Sequence, residues 1–341
     1  DQAIKEGFDS LKPGEEYSPL YDSALSRSEA DWLIGINASR AYTVRFSRGD
    51  GVMSVGRVQT PVLKMIVDRY NAHVEFKPET FYEIFADVKH LNGDYSGKWF
   101  KAKEDRFFDK AKAEDVVKDI NANKVGYVKS LTEKTKTEKQ PLLYDLTELQ
   151  KDANKRFKFS ADKTLKLMQE LYERHKVLTY PRTSSRYLSQ DMVPKLDGLI
   201  KNLTDSPEYK DHALPLLEKK LSITKRIVDD KKVTDHHAII PTEKKAVPSQ
   251  FSPDEKKIYD LVIKRFLSVF MDVCLKDHTE IISQFGEHVF KTTGTVLKSP
   301  GWRAVYMKDH EHLKEDALLP KVKKDDEINL EKSRLEDGQT K

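Results

Sequence analysis

Apolar side chains in the first 75 residues recur at the three- and four-residue spacing of amphipathic helices. One helix is predicted over residues 32–41, and Ser28 is expected to cap its amino end. A second helix is predicted to begin with Thr60 as its cap and Pro61 in its first position, where a missing N–H costs nothing. Residues 1–75 are therefore predicted to form a helical domain.

The pattern changes to short aromatic and alternating runs in residues 76–139. Strands are predicted over residues 81–88 and 124–131, and the sequence Asn92-Gly-Asp94 predicts a turn after the first of them. Similar runs return near the end of the chain, and we expect further strands at residues 280–284, 289–290 and 302–306. These segments predict a β-rich domain in two halves.

Residues 140–275 return to a helical pattern. Ser160 is positioned to cap one helix, and Ser252 with Glu255 forms a capping-box pattern that begins another. The apolar stripes of these helices include Leu146, Leu149, Ala153, Phe157, Leu165, Met168 and Tyr172. The sequence thus predicts a multidomain α+β protein in which a helical domain, 140–275, separates two halves of a β-rich domain, 76–139 and 276–341.

Composition limits the class of protein. The chain has 341 residues, 34% of them charged, and a mean hydropathy of -0.67. No apolar run approaches the roughly 20 residues that a membrane span needs. The single cysteine, Cys274, has no disulfide partner, which is typical of a reducing cytoplasm. Because the chain begins at Asp1 rather than methionine, we expect it to be part of a longer protein.

Positive charge is concentrated in one region of the chain. The formal net charge is only +4, but residues 151–191 contain ten Lys or Arg side chains against five acids. A local excess of cations suits a polyanionic substrate such as DNA. The same excess is also found on ordinary solvated helices, so it supports a nucleic-acid function without establishing one.

Tyr180 and Arg182 lie at the centre of this basic region. Pro181 disfavours a helical conformation for the residue before it, so Tyr180 is predicted to be extended. Side chains two apart in an extended segment face the same way, which places a phenol beside a guanidinium. Such a pair could attack a phosphodiester and stabilise the charge that develops on it. The alternative is a tyrosine at the edge of a core with a solvated arginine beside it.

Two other segments contain candidate binding residues. Arg57 and Gln59 precede the predicted helix at Pro61, and helix amino ends favour anions, so they could hold a phosphate. The alternative is an ordinary helix cap with an exposed arginine. His236 and His237 follow Asp235 and could bind a metal, although neighbouring residues seldom point at one ion. A histidine that contacts a phosphate or transfers a proton is the favoured interpretation.

Five segments in the same order resemble the type IA DNA topoisomerases, most closely the bacterial topoisomerase III subfamily. They extend over nearly the whole chain. The matching segments are Ala30-Asp-Trp-Leu33 with Asn37 and Arg40, Val55-Gly-Arg-Val-Gln-Thr-Pro61, Pro141 to Gln150, Leu178-Thr-Tyr-Pro-Arg-Thr-Ser184, and His236-His-Ala-Ile-Ile-Pro-Thr242.

The resemblance implies an ATP-independent enzyme that cuts one DNA strand, passes another through the break and rejoins it. Tyr180 would be the nucleophile that keeps the 5′ end as a phosphotyrosine, with Arg182 and His236 assisting it. The DNA contacts implied by the matching segments are Asn37, Arg40, Arg57, Gln59, Gln150, Thr183, Ser184 and Arg186. The substrate would be single-stranded DNA, acted on to relax or unlink it in the bacterial cytoplasm, in association with the nucleoid or plasmids. A helicase is a further candidate partner.

The resemblance also implies an architecture. Family members form a ring, in which a β-rich arch carries the helical domain with the tyrosine. Residues 1–75 would be the first part of the gate or base domain and contribute to the DNA groove. Residues 76–139 and 276–341 would form the arch, and the end of the second half would start the return to the base.

The sequence departs from the family pattern in two ways. Family members often have a glycine shortly before the Thr-Tyr pair, where this chain has His175-Lys-Val177, so the preceding helix must end differently. Members also carry a Toprim domain whose Asp-x-Asp-x-Asp cluster holds Mg²⁺, and no such cluster occurs in this chain. We therefore expect no metal site here, and we expect the isolated chain to bind single-stranded DNA without cleaving it.

Two other functions compete with this interpretation. In a non-catalytic module for single-stranded DNA, Tyr180 would stack on a base and the arginines would hold phosphates. A tyrosine recombinase or type IB enzyme is disfavoured, because its arginine set is not found in this sequence.

Overall fold

The computed structural model describes residues 2–49, 51–309 and 319–341. Within that part of the chain the residues form two compact units, Asp1–Glu79 with Gln339–Lys341, and Thr80–Gly338. The predicted domain boundaries are finer than this division and remain predictions. No helix in the described part is both long and apolar enough to cross a membrane.

The first unit is helical, as predicted, but its helices begin elsewhere. Its α-helices are α1 (Gln2–Asp9), α2 (Ser18–Phe46) and α3 (Gln59–Val74). Ser28 lies inside α2, so its prediction as a helix cap is wrong; Pro19 stands in the first turn instead. Thr60 is the second residue of α3 rather than its cap, and its Oγ1 accepts a hydrogen bond from the Gly56 N–H at 3.0 Å.

The apolar residues of this unit remain on its surface. Neither α2 nor α3 has a buried side chain among the described residues. Trp32 is 64% exposed, and Met65 and Ile66 are 70% and 60% exposed. Apolar surface of this extent is typical of a contact with another protein surface.

The second unit contains a closed barrel. Its strands are β1 (Thr80–Lys89), β2 (Tyr95–Phe100), β3 (Val125–Glu138), β4 (Cys274–Phe285), β5 (His288–Ser299) and β6 (Glu327–Gln339), with α4 (Lys110–Ala122) between β2 and β3. Their order around the barrel is β1-β2-β5-β4-β3-β6. The predicted strands at 81–88 and 124–131 are confirmed as parts of β1 and β3. Ile84, Trp99, Phe285 and Phe290 fill the interior.

A helical module is inserted between β3 and β4. These strands are antiparallel neighbours, and Glu138 at the end of β3 pairs with Cys274 at the start of β4. The chain therefore leaves and re-enters the barrel at adjacent positions. The α-helices of the module are α5 (Leu146–Phe157), α6 (Ala161–Gln169), α7 (Leu196–Leu203), α8 (Lys210–Leu217) and α9 (Pro253–Ser268).

Local sequence accounts for where two of these helices begin. Ser160 caps α6 by accepting a hydrogen bond from the Lys163 N–H at 3.1 Å. Ser252 and Glu255 form a complete capping box at the start of α9, with Pro253 in the first position. Both predicted caps are confirmed, because each depends only on residues within one turn.

The strand predicted at residues 302–306 is wrong. These residues belong to a 3₁₀ helix, Gly301–Asp309, whose Val305 and Tyr306 are buried in the core of the helical module. The backbone turns away from β5 at Gly301, which has φ +47°. A Cβ there would lie 2.2 Å from the Val273 carbonyl oxygen, so only glycine fits.

Candidate active site around Tyr180

Tyr180 follows an irregular helix end. Helix α6 continues as one π-helical turn, Glu170–Arg174, and the chain then leaves the helix through Lys176 in the left-handed region at φ 58°. Beyond this point Leu178 forms a β-bridge with Pro241. Tyr180 is outside any helix, as Pro181 predicts. Single π-helical turns of this kind frequently lie at functional sites.

Lys176 takes the conformation that glycine usually provides after a helix. Its backbone is fixed by the neighbouring segment, because Thr242 Oγ1 donates a hydrogen bond to the Lys176 carbonyl at 2.6 Å and the Thr242 N–H donates to the Val177 carbonyl at 3.0 Å. This chain therefore has lysine where family members often have glycine, but the backbone still makes the left-handed turn at this position.

Replacing Lys176 with glycine should raise the free energy of unfolding by up to about 1 kcal/mol, because glycine adopts this conformation without strain. The Lys176 side chain is exposed, so little packing is lost. Chemical unfolding of this chain measures the change. Lys166→Gly, inside α6, is the control and should lower the free energy of unfolding by about 1 kcal/mol. Equal losses at both positions would contradict the expectation.

The segments that contain Tyr180 and His236 are joined by hydrogen bonds. The Thr179 N–H donates to the Ile240 carbonyl, and the Ile240 N–H donates to Thr179 Oγ1, both at 3.0 Å. Thr183 Oγ1 donates to the His236 carbonyl at 2.9 Å. The imidazole of His236 consequently lies against the phenol of Tyr180, with ring centroids 4.3 Å apart and the planes inclined by 38°.

Tyr172 contacts the same phenol from another direction. Its ring meets Tyr180 edge to face, with centroids 5.5 Å apart. In the sequence Tyr172 belongs to an apolar helical stripe, which predicts a core residue and no role at the site. The π-helical turn changes the direction of its side chain relative to a regular helix, and no pattern in a single sequence indicates such a turn.

Arg182 and Ser184 are exposed, whereas Thr183 and Ser185 between and beside them are buried. Ser185 Oγ donates to the Lys232 carbonyl at 2.9 Å, which fixes the segment after Pro181. Within residues 2–49, 51–309 and 319–341, no hydrogen bond or ion pair engages the Arg182 guanidinium. It lies two residues from Tyr180 and is accessible to an anion.

Arg186 and Gln150 make hydrogen bonds within the protein. Arg186 Nε donates to the Leu143 carbonyl at 3.0 Å, and its Nη1 lies 4.0 Å from Glu148 Oε2. Gln150 Nε2 donates to the Ala161 carbonyl at 3.0 Å. A hydrogen bond from Lys151 is the main cause that lowers the pKa of Glu148, so this carboxylate is charged beside Arg186. The predicted DNA contacts of Arg186 and Gln150 remain predictions.

A basic side chain lies close to the segment that follows Tyr180. Lys232 Nζ is 4.5 Å from the centroid of the Tyr187 ring and donates to the Tyr187 hydroxyl at 3.3 Å. This hydrogen bond is the main cause that raises the pKa of Lys232. The nitrogen is exposed and charged, so it adds to the cations that a phosphate backbone would meet here.

The remaining predicted DNA contacts lie in the helical unit, and each is described within that unit. Arg57 Nε is 3.0 Å from Asp31 Oδ2. Asn37 Nδ2 donates to the Leu33 carbonyl at 2.8 Å, and Arg40 is exposed on α2. Arg57 and Gln59 line a cavity of about 760 Å³ together with Asp31, Ile34, Gly35, Val55, Gly56, Val58, Thr60 and Pro61.

The described residues offer no metal site. No group of three or more His, Cys, Asp or Glu side chains among them is arranged to hold a metal ion. His237 Nδ1 is 2.8 Å from the Ala238 carbonyl oxygen, and Asp235 does not join the two histidines in a metal-binding group. The ligand chemistry near Tyr180 is that of a phenol, an imidazole and a guanidinium.

These three groups suit nucleophilic substitution at phosphorus. The phenol oxygen of Tyr180 can attack, the imidazole of His236 is placed beside it, and the Arg182 guanidinium can stabilise developing charge on phosphate oxygens. Within the described part of the chain, the Tyr180 hydroxyl makes no hydrogen bond that would have to be broken before the attack.

Comparison with known proteins gives concordant matches. The family model described as DNA topoisomerase matches residues 15–341. DNA topoisomerase 3 of Bacillus subtilis (strain 168) is 42% identical over 345 residues, covering 100% of this chain and 46% of that protein. The protein of the same name from Bacillus cereus (strain ZK / E33L) is 43% identical over 348 residues, with the same coverage. This chain thus spans about half the length of the curated relatives it matches.

A solved structure has a similar fold. Full-length topoisomerase I from Thermotoga maritima superposes with a TM-score of 0.66 at 22% sequence identity, covering 93% of this chain and 50% of that chain. At this identity the similarity concerns the fold alone. The predicted α+β class is confirmed.

Proposed function

This chain belongs to the type IA DNA topoisomerase family, and from that premise we propose that the full-length protein cleaves one DNA strand with Tyr180. A second strand passes through the break, and the broken strand is rejoined. The observation that carries the proposal is the contact of the Tyr180 ring with His236 at 4.3 Å; Arg182, two residues after Tyr180, is exposed.

The proposed reaction exchanges one phosphodiester for another. The Oη atom of Tyr180 bonds to phosphorus as the bond from phosphorus to the 3′ oxygen breaks. The phenol loses its proton, and the departing strand ends in a 3′ hydroxyl. The 5′ phosphate stays on Tyr180 until that hydroxyl attacks and restores the strand. Because bond energy is retained in the phosphotyrosine, no ATP is needed, and the sequence contains no Gly-x-x-x-x-Gly-Lys loop.

Each neighbour of Tyr180 has a proposed role. Arg182 binds the scissile phosphate and stabilises the charge of the transition state. His236 orients the phenol and the phosphate, since its ring lies against Tyr180. Thr183, Ser184 and Arg186 follow on the same segment and are proposed to contact the adjoining DNA backbone, and Gln150 is proposed as a further contact. Thr183 also fixes His236 through its hydrogen bond at 2.9 Å.

The helical unit is proposed to hold single-stranded DNA along the cavity lined by Arg57 and Gln59. Arg40 supplies a further exposed cation on α2. Asp31 pairs with Arg57 at 3.0 Å, so a phosphate would have to compete with a carboxylate for this guanidinium. Asn37 is proposed as a polar contact, which requires its side chain to release the Leu33 carbonyl.

Mg²⁺, which the family is known to use in its full-length form, does not fit any donor set among the described residues. We propose that the ion is held by residues outside this chain. It would supply positive charge near the scissile phosphate when bound. The proposed roles of Tyr180, Arg182 and His236 require no metal ligand from this chain.

The cellular setting follows from the same premise. The relatives are bacterial proteins, and we propose that this protein acts on DNA in the bacterial cytoplasm, where its buried single cysteine stays reduced. Relaxation of supercoils and unlinking of DNA circles are both proposed outcomes of strand passage. A helicase that exposes single strands is a proposed partner.

The proposal predicts different behaviour for this chain and the full-length protein. With a labelled single-stranded oligonucleotide and Mg²⁺, the full-length protein should form a covalent adduct, whereas this chain should bind the oligonucleotide without forming one. Binding by this chain should weaken as salt increases, with a logarithmic slope of about -0.7 for each phosphate contacted. Denaturing electrophoresis and fluorescence anisotropy measure the two quantities.

The outcomes separate the competing functions. If this chain formed the adduct at the rate of the full-length protein, DNA cleavage would not depend on residues outside this chain, contrary to the expectation. Binding without an adduct in the full-length protein would favour a non-catalytic module for single-stranded DNA.

A further inference from the structure

A partly buried ionic group beside the core of the helical module takes no part in the proposed chemistry. Arg265, on α9, places Nη2 2.8 Å from Asp152 Oδ2 on α5. The same nitrogen donates to the Tyr144 hydroxyl at 3.1 Å, and that hydroxyl donates to Asp152 Oδ2 at 2.5 Å. The guanidinium lies 4.0 Å from the centroid of the Tyr144 ring. These three residues are called the Arg265 network below.

Stability alone does not explain this network. The Arg265 side chain is 12% exposed and its partner Asp152 is 31% exposed, whereas Tyr144 is 1% exposed. Buried ion pairs recover little more than their desolvation penalty, and apolar residues of similar volume often stabilise a core equally well. Burial raises the pKa of Tyr144 well above its usual range, so its hydroxyl stays protonated as a donor. The network therefore adds little to the free energy of unfolding, but its hydrogen bonds fix the relative orientation of the groups that they join.

The network fixes the segment of residues 142–146. Arg265 Nη1 donates to the Leu142 carbonyl at 3.0 Å. The next carbonyl, that of Leu143, accepts the Arg186 Nε at 3.0 Å, so the segment with the nucleophile is attached to this point. The Leu146 N–H donates to the Thr183 carbonyl at 3.2 Å, which provides a second attachment.

The same segment also holds the histidine side of the site. The Ile239 N–H donates to the Tyr144 carbonyl at 2.8 Å, in a β-bridge between the two residues. Residues 180–186 and residues 236–240 are therefore both hydrogen-bonded to one short segment. That segment is attached to α5 and α9 by the Arg265 network.

We propose that Arg265 is a positioning residue for DNA cleavage: through Asp152 and Tyr144 it fixes the segment 142–146, which sets the approach of Tyr180 to His236. This inference rests on the proposed function. Misplacement of reacting groups by about 1 Å can slow a reaction roughly 100-fold. Loss of the network should therefore reduce the cleavage rate while leaving DNA affinity nearly unchanged, because none of its three side chains belongs to the proposed DNA contacts.

The test uses the full-length protein with Arg265→Met and Asp152→Leu together. Replacing both charges by apolar groups avoids an unpaired buried charge, so the double variant is expected to fold. Single-turnover adduct formation on a single-stranded oligonucleotide should slow roughly 10- to 100-fold at an unchanged Kd. Arg265→Lys, which keeps the charge but loses the two-branched donor, should retain part of the rate.

A matched control lies in the barrel. Arg334 Nε is 3.0 Å from Asp87 Oδ2, and its guanidinium is 5.2 Å from the centroid of the Phe85 ring. The double variant Arg334→Met with Asp87→Leu should change the melting temperature without slowing cleavage. It separates a general effect of removing an ion pair from an effect on the site.

The possible results are distinct. A folded Arg265 and Asp152 double variant that cleaves within about twofold of wild type would overturn the inference. If that variant does not fold, Tyr144→Phe removes one hydroxyl and keeps the ring; a slower adduct rate at unchanged Kd supports the inference, and a wild-type rate overturns it. Failure of the wild-type protein to form any adduct would instead contradict the proposed function itself.

Discussion

Tyr180→Phe in the full-length protein should abolish relaxation of negatively supercoiled plasmid, with a loss of at least about 10⁴-fold in rate. The substitution removes one oxygen atom, the proposed nucleophile. The aromatic ring is kept, and with it the contacts to His236 at 4.3 Å and Tyr172 at 5.5 Å. A large loss at an unchanged melting temperature would therefore be chemical. Agarose gel electrophoresis without ATP measures it, and wild type should change the linking number in steps of one.

Tyr187→Phe is the matched control for this substitution. Tyr187 lies on the same segment, is half-buried, and accepts a hydrogen bond from Lys232 at 3.3 Å. Its loss should change relaxation only a few-fold, since one exposed hydrogen bond contributes about 1 kcal/mol. If the Tyr180→Phe protein still relaxed the plasmid, Tyr180 could not be the nucleophile.

Arg182→Ala should slow DNA cleavage by about 10² to 10³-fold. A guanidinium that stabilises the transition state contributes more to the rate than to ground-state binding, so the Kd for single-stranded DNA should change much less than the rate. Single-turnover adduct formation at saturating protein separates the two effects. Arg182→Lys should recover only part of the rate, because an ammonium group lacks the planar pair of donors.

The control for Arg182 is Arg174, on the π-helical turn before it. Arg174 is exposed, and its Nη1 is 3.9 Å from Glu170 Oε2, a weak surface contact. Arg174→Ala should lower affinity slightly and leave the cleavage step unchanged. Equal effects of the two substitutions on rate and Kd would indicate that Arg182 only adds positive charge.

Sequence patterns predicted well the features that depend on neighbouring residues. The caps at Ser160 and Ser252 each involve one helical turn, and the strands at 81–88 and 124–131 show their periodicity directly. The position of Tyr180 outside a helix agrees with the restriction that Pro181 places on it. These features needed no information about the rest of the fold.

Features that depend on distant residues were not predictable in this way. Residues 302–306 are apolar enough for a strand, but the backbone changes direction at Gly301 and directs them into the core of the helical module. Only glycine fits at position 301, because a Cβ there would lie 2.2 Å from the Val273 carbonyl oxygen. Here a tertiary contact outweighs the local preference.

The candidate site was only partly accessible from sequence. Side-chain chemistry and family resemblance point to Tyr180, Arg182 and His236, and the structure brings the rings of Tyr180 and His236 together. The sequence does not point to Tyr172, whose contact with Tyr180 depends on the π-helical turn, or to Arg265, which contacts the site segment through a backbone carbonyl. Neither leaves a motif in a single sequence.

The most direct test of Tyr180 as the nucleophile identifies the protein atom that becomes attached to DNA. The full-length protein is incubated with Mg²⁺ and a single-stranded oligonucleotide labelled at either its 3′ or its 5′ end, then denatured and digested for peptide mass spectrometry. The 3′ label should stay with the protein, the 5′ label should be released on a strand with a 3′ hydroxyl, and the modified peptide should contain phosphate on Tyr180. Attachment at another residue, or retention of the 5′ label, would contradict this expectation.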